Sequence, residues 1–150
     1  MKKRRAYRVV EVPWNSALWK SALEIRMAVF VVEQHVPPEE EVDAIDEVAH
    51  HVLAFDGEAA IATGRLFTAP EDATLGKIGR MAVLESHRGS GAGSAIMDAL
   101  LVEAKRRGYR TVALSAQLHA IPFYERHGFA AYGGVYDDAG IPHRMMKKGL

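Results

Sequence analysis

Residues 77–94, KIGRMAVLESHRGSGAGS, join a short apolar run to a turn built almost wholly of glycine, serine and alanine, and they restrict the fold more than any other stretch. Ile78, Met81, Ala82, Val83 and Leu84 fall in one block, which predicts a buried strand over residues 77–84, although periodicity alone leaves a helix open. In the turn, Arg88 is followed by Gly89, Ser90, Gly91, Ala92, Gly93 and Ser94. With so little side chain present, backbone N–H groups can close on a ligand without steric obstruction. Helical spacing begins at Ala92, so these N–H groups stand at a helix N-terminus, where the macrodipole also favours an anion. A strand, a glycine turn and a helix start make a phosphate cradle.

Two common cradles are excluded by what the stretch lacks. A P-loop needs a lysine followed by Ser or Thr at a fixed distance from its glycines, and none stands there. A dinucleotide fingerprint begun at Gly89 places Ser94 where its last glycine belongs, and Arg110–Ser115, about twenty residues on, holds no acidic residue for a ribose hydroxyl. Composition narrows the partners further. The chain has 150 residues, 49% hydrophobic and 25% charged, which suits one globular domain spanning residues 1–150. Nineteen basic residues balance nineteen acidic ones, against a general nucleic-acid binder. Lys2–Arg5 reads as a solvated end, with no secretory apolar region after it and no run long enough for a membrane span, so a cytoplasmic location is expected. There are no cysteines, hence no disulfide, no thiolate metal site and no cysteine acyl-enzyme. The seven histidines form no short ligand spacing, and no metal is expected.

In chain order, Tyr7–Val12 predicts a strand ending at Pro13. Asn15 or Ser16 then caps a helix carrying Leu18, Ala22, Ile25 and Val29 on one apolar stripe, with Trp14 and Trp19 as core residues at its start. The helix continues into Phe30, Val31, Val32, Glu33 and Gln34, and Pro37-Pro38 stops it. Next come six carboxylates within nine residues, Glu39 to Glu47. They read either as a solvated loop or as a negative mouth that gathers a cationic amine. Residues 48–55 and 59–67 predict a hairpin at Asp56-Gly57. After the glycine turn, a helix is expected over residues 92–107, stopped by Gly108, then a strand over 111–115 and a short helix within 118–127. Strands over 129–136 and 143–148 close the chain, and the exposed strand near Phe129–Tyr136 leaves room for a homodimer.

Arg88-x-x-Gly91-x-Gly93 resembles the acyl-CoA signature of the GNAT N-acetyltransferase family. A second motif follows in the right order: Gln117, Ala120 and Tyr124 hold the spacing of the family's Asn-x-x-Ala-x-x-x-Tyr, with glutamine in place of asparagine, and Gly128-Phe129 follows. Val29-Phe30-Val31-Val32-Glu33-Gln34, the run Lys77 to Val83 and Gly140-Ile-Pro-His143 resemble the ElaA/YjcF-like branch. The resemblance covers nearly the whole chain and implies a mixed α/β fold, a bent, mostly antiparallel sheet flanked by helices.

It also implies an activity and assigns parts to it. Acetyl-CoA would be the donor and a small primary amine the acceptor, by direct attack in a ternary complex. Backbone groups of Met81, Ala82 and Val83 would pair with the pantetheine arm and meet the developing oxyanion. Arg88, Gly89, Ser90, Gly91, Ala92, Gly93 and Ser94 would take the pyrophosphate, and Gln117 the pantetheine amides. Tyr124 would protonate the leaving thiolate. An alkylamine is almost wholly protonated at neutral pH, so a base is needed. Glu33 is the first choice, His143 the second, with His51, His119 and a water relay also open. The same fold could instead serve as an acyl-CoA sensor or a docking module with little chemistry.

Overall fold

The computed structural model describes residues 6–150, so Lys2–Arg5 lies outside the described residues. Seven strands form a single sheet: β1 (Arg8–Val12), β2 (His50–Asp56), β3 (Ala59–Ala69), β4 (Asp72–Val83), β5 (Thr111–Gln117), β6 (Ala130–Asp138) and β7 (Ile141–Gly149). Their spatial order is β1-β2-β3-β4-β5-β7-β6. Every neighbouring pair is antiparallel except β4 and β5, which run parallel. The crossover between those two is α4 (Ala92–Arg106), as a parallel connection requires.

Helices cover both faces of the sheet. On one, α4 buries Ile96, Met97, Leu100 and Ala104 completely. Its close approach needs Gly64 on β3, where an added Cβ would lie 2.7 Å from Ile96 Cγ2. On the other, α1 (Ala17–Arg26) buries Trp19, Ala22 and Ile25, and Val29 extends the stripe beyond it. Ser16 caps α1 as expected, its Oγ accepting from Trp19 N–H at 3.3 Å. Trp14 departs from expectation: it is 41% exposed and rests against Trp19 rather than in the core.

Three local differences from the sequence reading have physical causes. The helix after Arg26 does not stay regular but widens into a π-helical turn over Met27–Glu33, with Gln34 N–H donating to Val29 O, five residues back. Such turns re-aim the residues that follow. The hairpin turn falls on Gly57-Glu58 rather than Asp56-Gly57, with Gly57 at φ 60°. The acidic stretch is not a plain solvated loop, although its Glu39, Glu40 and Glu47 are exposed and Glu40 lines the groove between β4 and β5. The stretch forms two short helices, α2 (Pro38–Glu41) and α3 (Ile45–Val48), whose Glu41 and Asp46 are buried. Arg26 donates to Glu41 Oε1 at 2.8 Å and grips Asp46 with two bonds, at 2.8 and 3.1 Å. Arg65 reaches Asp46 at 2.7 Å and Asp43 at 2.8 and 3.1 Å. Three guanidiniums, with Arg80 the third, thus fasten this segment to α1, β3 and β4. The last helix, α5 (Ile121–Arg126), follows a 3₁₀ turn over Leu118–Ala120.

Candidate active site

β4 and β5 pair only from Leu75 opposite Thr111 to Ile78 opposite Leu114. Beyond that point β4 runs on to Val83 and β5 to Gln117 without pairing, so the sheet opens as a wedge. The parting coincides with a bulge. Thr63 faces Ala82 and Arg65 faces Gly79, which leaves Arg80 and Met81 together opposite Gly64. Arg80 takes the left-handed conformation, φ 48°, that lets an extra residue fit. A groove of about 770 Å³ occupies the wedge and is lined from both strands, the π-helical turn, the glycine turn and α5.

The released edge of β4 brings Met81, Ala82 and Val83 to the groove. At its end the chain turns through Gly89, φ 74°, and Gly91, φ 95°, conformations that a side chain disfavours. Gly91 is the N-cap of α4, and no side chain caps that helix. Its first-turn N–H groups therefore stand beside Gly93 and Ser94, both on the groove wall. Gly93 is held close to Phe123, whose ring carbons would lie 3.3–3.4 Å from an added Cβ. An anion fits here on two counts, bare backbone and helix dipole, with Arg88 beside them in an ion pair with Glu33.

Two members of the expected cradle do other work. The hydroxyl of Ser90 is buried, accepting from Tyr7 OH at 2.7 Å and donating to the carbonyl of His87, so it stitches the turn to the N-terminal residues. Ala92 is 1% exposed and faces the core. Neither lines the groove. Ser94 Oγ lies 3.0 Å from His127 Nε2.

Among the expected catalytic groups, Tyr124 lines the groove, and burial pushes its phenol up to about 12. Glu33 also lines the groove, but Arg88 Nη2 holds both its carboxylate oxygens, at 2.9 and 2.8 Å, while Arg88 Nε donates to Val83 O at 3.0 Å. The first-choice base is thus tied to the arginine of the glycine turn. His51 is buried away from the groove, 2.8 Å from the carbonyl of Asp46, and burial holds its pKa low. His119 and His143 do line the groove. His143 Nδ1 sits 2.7 Å from the carbonyl of Ile141. A carbonyl only accepts, so Nδ1 carries a proton and the neutral ring keeps Nε2 as an acceptor. Among the described residues no group of His, Asp or Glu is gathered to hold a metal ion.

Gln117 donates to Gln34 Oε1 at 2.9 Å, joining the β5 side of the wedge to the end of the π-helical turn. Gln34 and Arg80 both line the groove, and sequence reasoning gave neither a role. The available signals were a glutamine closing an apolar helix and an arginine inside an apolar strand.

Residues 19–129 match the model of the acetyltransferase (GNAT) family. The chain belongs to the GNAT family. Its relatives include the N-acetyltransferase YjcF of Bacillus subtilis, 41% identical over 135 residues, which span 89% of this chain and 94% of that protein. ElaA of Escherichia coli is 34% identical over 129 residues, 84% of each chain. The crystal structure of Escherichia coli ElaA superposes with a TM-score of 0.84 at 29% identity, covering 95% of this chain and 99% of that one. An acyl-CoA N-acyltransferase of Pseudomonas aeruginosa does so with 0.83 at 33% identity, covering 96% and 100%. The wedge and glycine turn are therefore those of a GNAT protein of the ElaA/YjcF-like branch.

Proposed function

We propose that this chain moves the acetyl group of acetyl-CoA to the nitrogen of a primary amine, by direct attack while both are bound. The observation that carries the reading is a strand edge released after Ile78 and ending in an uncapped glycine turn, with Tyr124 facing the same groove. Arg88 and the N–H groups of the first turn of α4 bind the pyrophosphate. The released edge at Met81, Ala82 and Val83 orients the thioester and supplies N–H donors to the oxyanion as charge develops. Fixed, preoriented donors stabilise that charge more than solvent that must reorient does.

His143 takes the amine proton at Nε2, its Nδ1–H being anchored on Ile141. Glu33, the sequence's first choice, holds Arg88 instead. Tyr124 donates to the departing sulfur. With the phenol at about 12 and thiols near ~8.5, complete transfer to a finished thiolate would run uphill, so Tyr124 stabilises the sulfur chiefly through a strong hydrogen bond.

The test is thiol release from acetyl-CoA over a panel of amines, with Tyr124→Phe beside the wild type. The variant should lose about 10²-fold or more in turnover and keep its affinity for acetyl-CoA. Equal turnover in both proteins would remove Tyr124 from the chemistry. Binding without release for any amine would favour an acyl-CoA sensor.

A further inference from the structure

The inner end of the groove carries a cation that the transfer chemistry above does not use. The bulge sets Gly79 and Arg80 on the α1 side of the sheet, in succession, where regular alternation would put them on opposite faces. Arg80 Nε donates to Glu41 O at 3.2 Å, and Nη2 lies 3.5 Å from Glu40 O and 3.4 Å from Asp43 Oδ2. Nε also lies 3.4 Å from Glu41 Oε1, these contacts use Nε and Nη2, and Arg80 lines the groove with 29% of its side chain exposed. Beneath it, Arg65 Nε is a buried donor without a hydrogen-bond partner, 3.9 Å from where a Cβ on Gly79 would stand.

We propose that Arg80 anchors a carboxylate on the acceptor, so that the amine acetylated here belongs to a compound of amino-acid type that bears both groups. The proposal rests on the reading of this groove as the transfer site. The glycine turn lies past Val83 and takes the phosphates, which puts the thioester toward Gly79 and leaves Arg80 on the acceptor's side. The guanidinium can take an anion there. Burial, then the charge of Arg65, lowers its pKa, with Glu41 and Asp43 opposing and Arg26 adding to the effect. The fork of an arginine suits a carboxylate. The lack of a side chain on Gly79 leaves room for the approach. Asp138 and Glu40, on the same groove, complement the ammonium end of such a compound.

The test uses binding and does not depend on turnover. The CoA complex is titrated calorimetrically with N-acetylated amino acids of varied side chain and with the decarboxylated counterpart of each, all being product-like ligands. At least one acid should bind about tenfold or more tightly than its counterpart. Arg80→Asn, chosen because asparagine tolerates a left-handed backbone, should bring each pair within about twofold and leave CoA affinity unchanged. If Arg80→Asn does not fold, Arg80→Lys replaces it, and a narrowed gap supports the anchor. A panel with no carboxylate preference, or a preference unchanged in the folded variant, overturns the proposal. Thiol release on the same protein is scored separately. Arg80-dependent binding in a protein that transfers nothing would sink the transfer reading and leave the carboxylate site standing.

Discussion

Asp46 makes the stability of the fold sensitive to acid. Burial by itself would raise its pKa, but hydrogen bonds and charge from Arg26, the Asp43 N–H and the charge of Arg65 outweigh this and hold it at about 2. The folded pKa is below the unfolded value of ~3.9, so the stabilisation is complete above about pH 5 and is lost as pH falls toward 2. It is worth on the order of 2 kcal/mol. Chemical denaturation between pH 7 and pH 3 should show roughly half of that loss, and Asp46→Asn should reduce the acid sensitivity by that amount. The variant should also be less stable at pH 7 by about 3–5 kcal/mol, because it strips a partner from the buried Arg26 and Arg65. At Tyr124 the phenol near 12 implies a different profile: activity should show no alkaline fall from tyrosine ionisation below about pH 11. The carboxylate cluster was legible in the sequence, but its purpose was not. Its partners come from α1, β3 and β4, and nothing in spacing announces that Arg26, Arg65 and Arg80 meet there.

Elements were easier to read than their ends. The Ser16 cap gave the start of α1, and the helical spacing from Ala92 with the glycine stop at Gly108 gave both ends of α4 nearly to the residue, because caps and periodicity are local physics. β4 begins at Asp72, five residues before the expected start at Lys77, since the exposed residues ahead of Lys77 gain their strand character from pairing with β3. The π-helical turn, which packs against β4 and α2, left no mark in the helical spacing of the sequence. Two glycines test this level. Gly91→Ala forces a side chain into φ 95°, a strain of roughly 1–2 kcal/mol. It should weaken acetyl-CoA binding by about tenfold, read by calorimetry. Gly64→Ala overfills the contact between β3 and Ile96 and should destabilise by about 1–3 kcal/mol, lowering the melting temperature by several degrees without touching the glycine turn.

For the whole molecule, one topological feature turns a covered sheet into a groove. Placing β4 parallel to β5 with α4 as the crossover sets the glycine turn at the C-terminal end of β4, and the bulge at Arg80 keeps the two strands apart beyond Ile78. The sequence motifs marked both walls of that groove, Arg88 to Ser94 on one and Gln117 to Tyr124 on the other. They marked Gln34 and His143 without showing that these line the same groove, and they gave Arg80, also on its wall, no role. No helix among the described residues is long and apolar enough to cross a membrane. The most direct measurement is thermal unfolding with and without saturating acetyl-CoA, with NADH and ATP as controls. Ligand at about 100 times its Kd adds about 2.7 kcal/mol, which for a chain of this size raises the melting temperature by roughly 5–10 °C. A rise of that size with acetyl-CoA alone is the expected result. No rise, in folded protein freed of bound CoA, would contradict the assignment of the wedge and every role built on it.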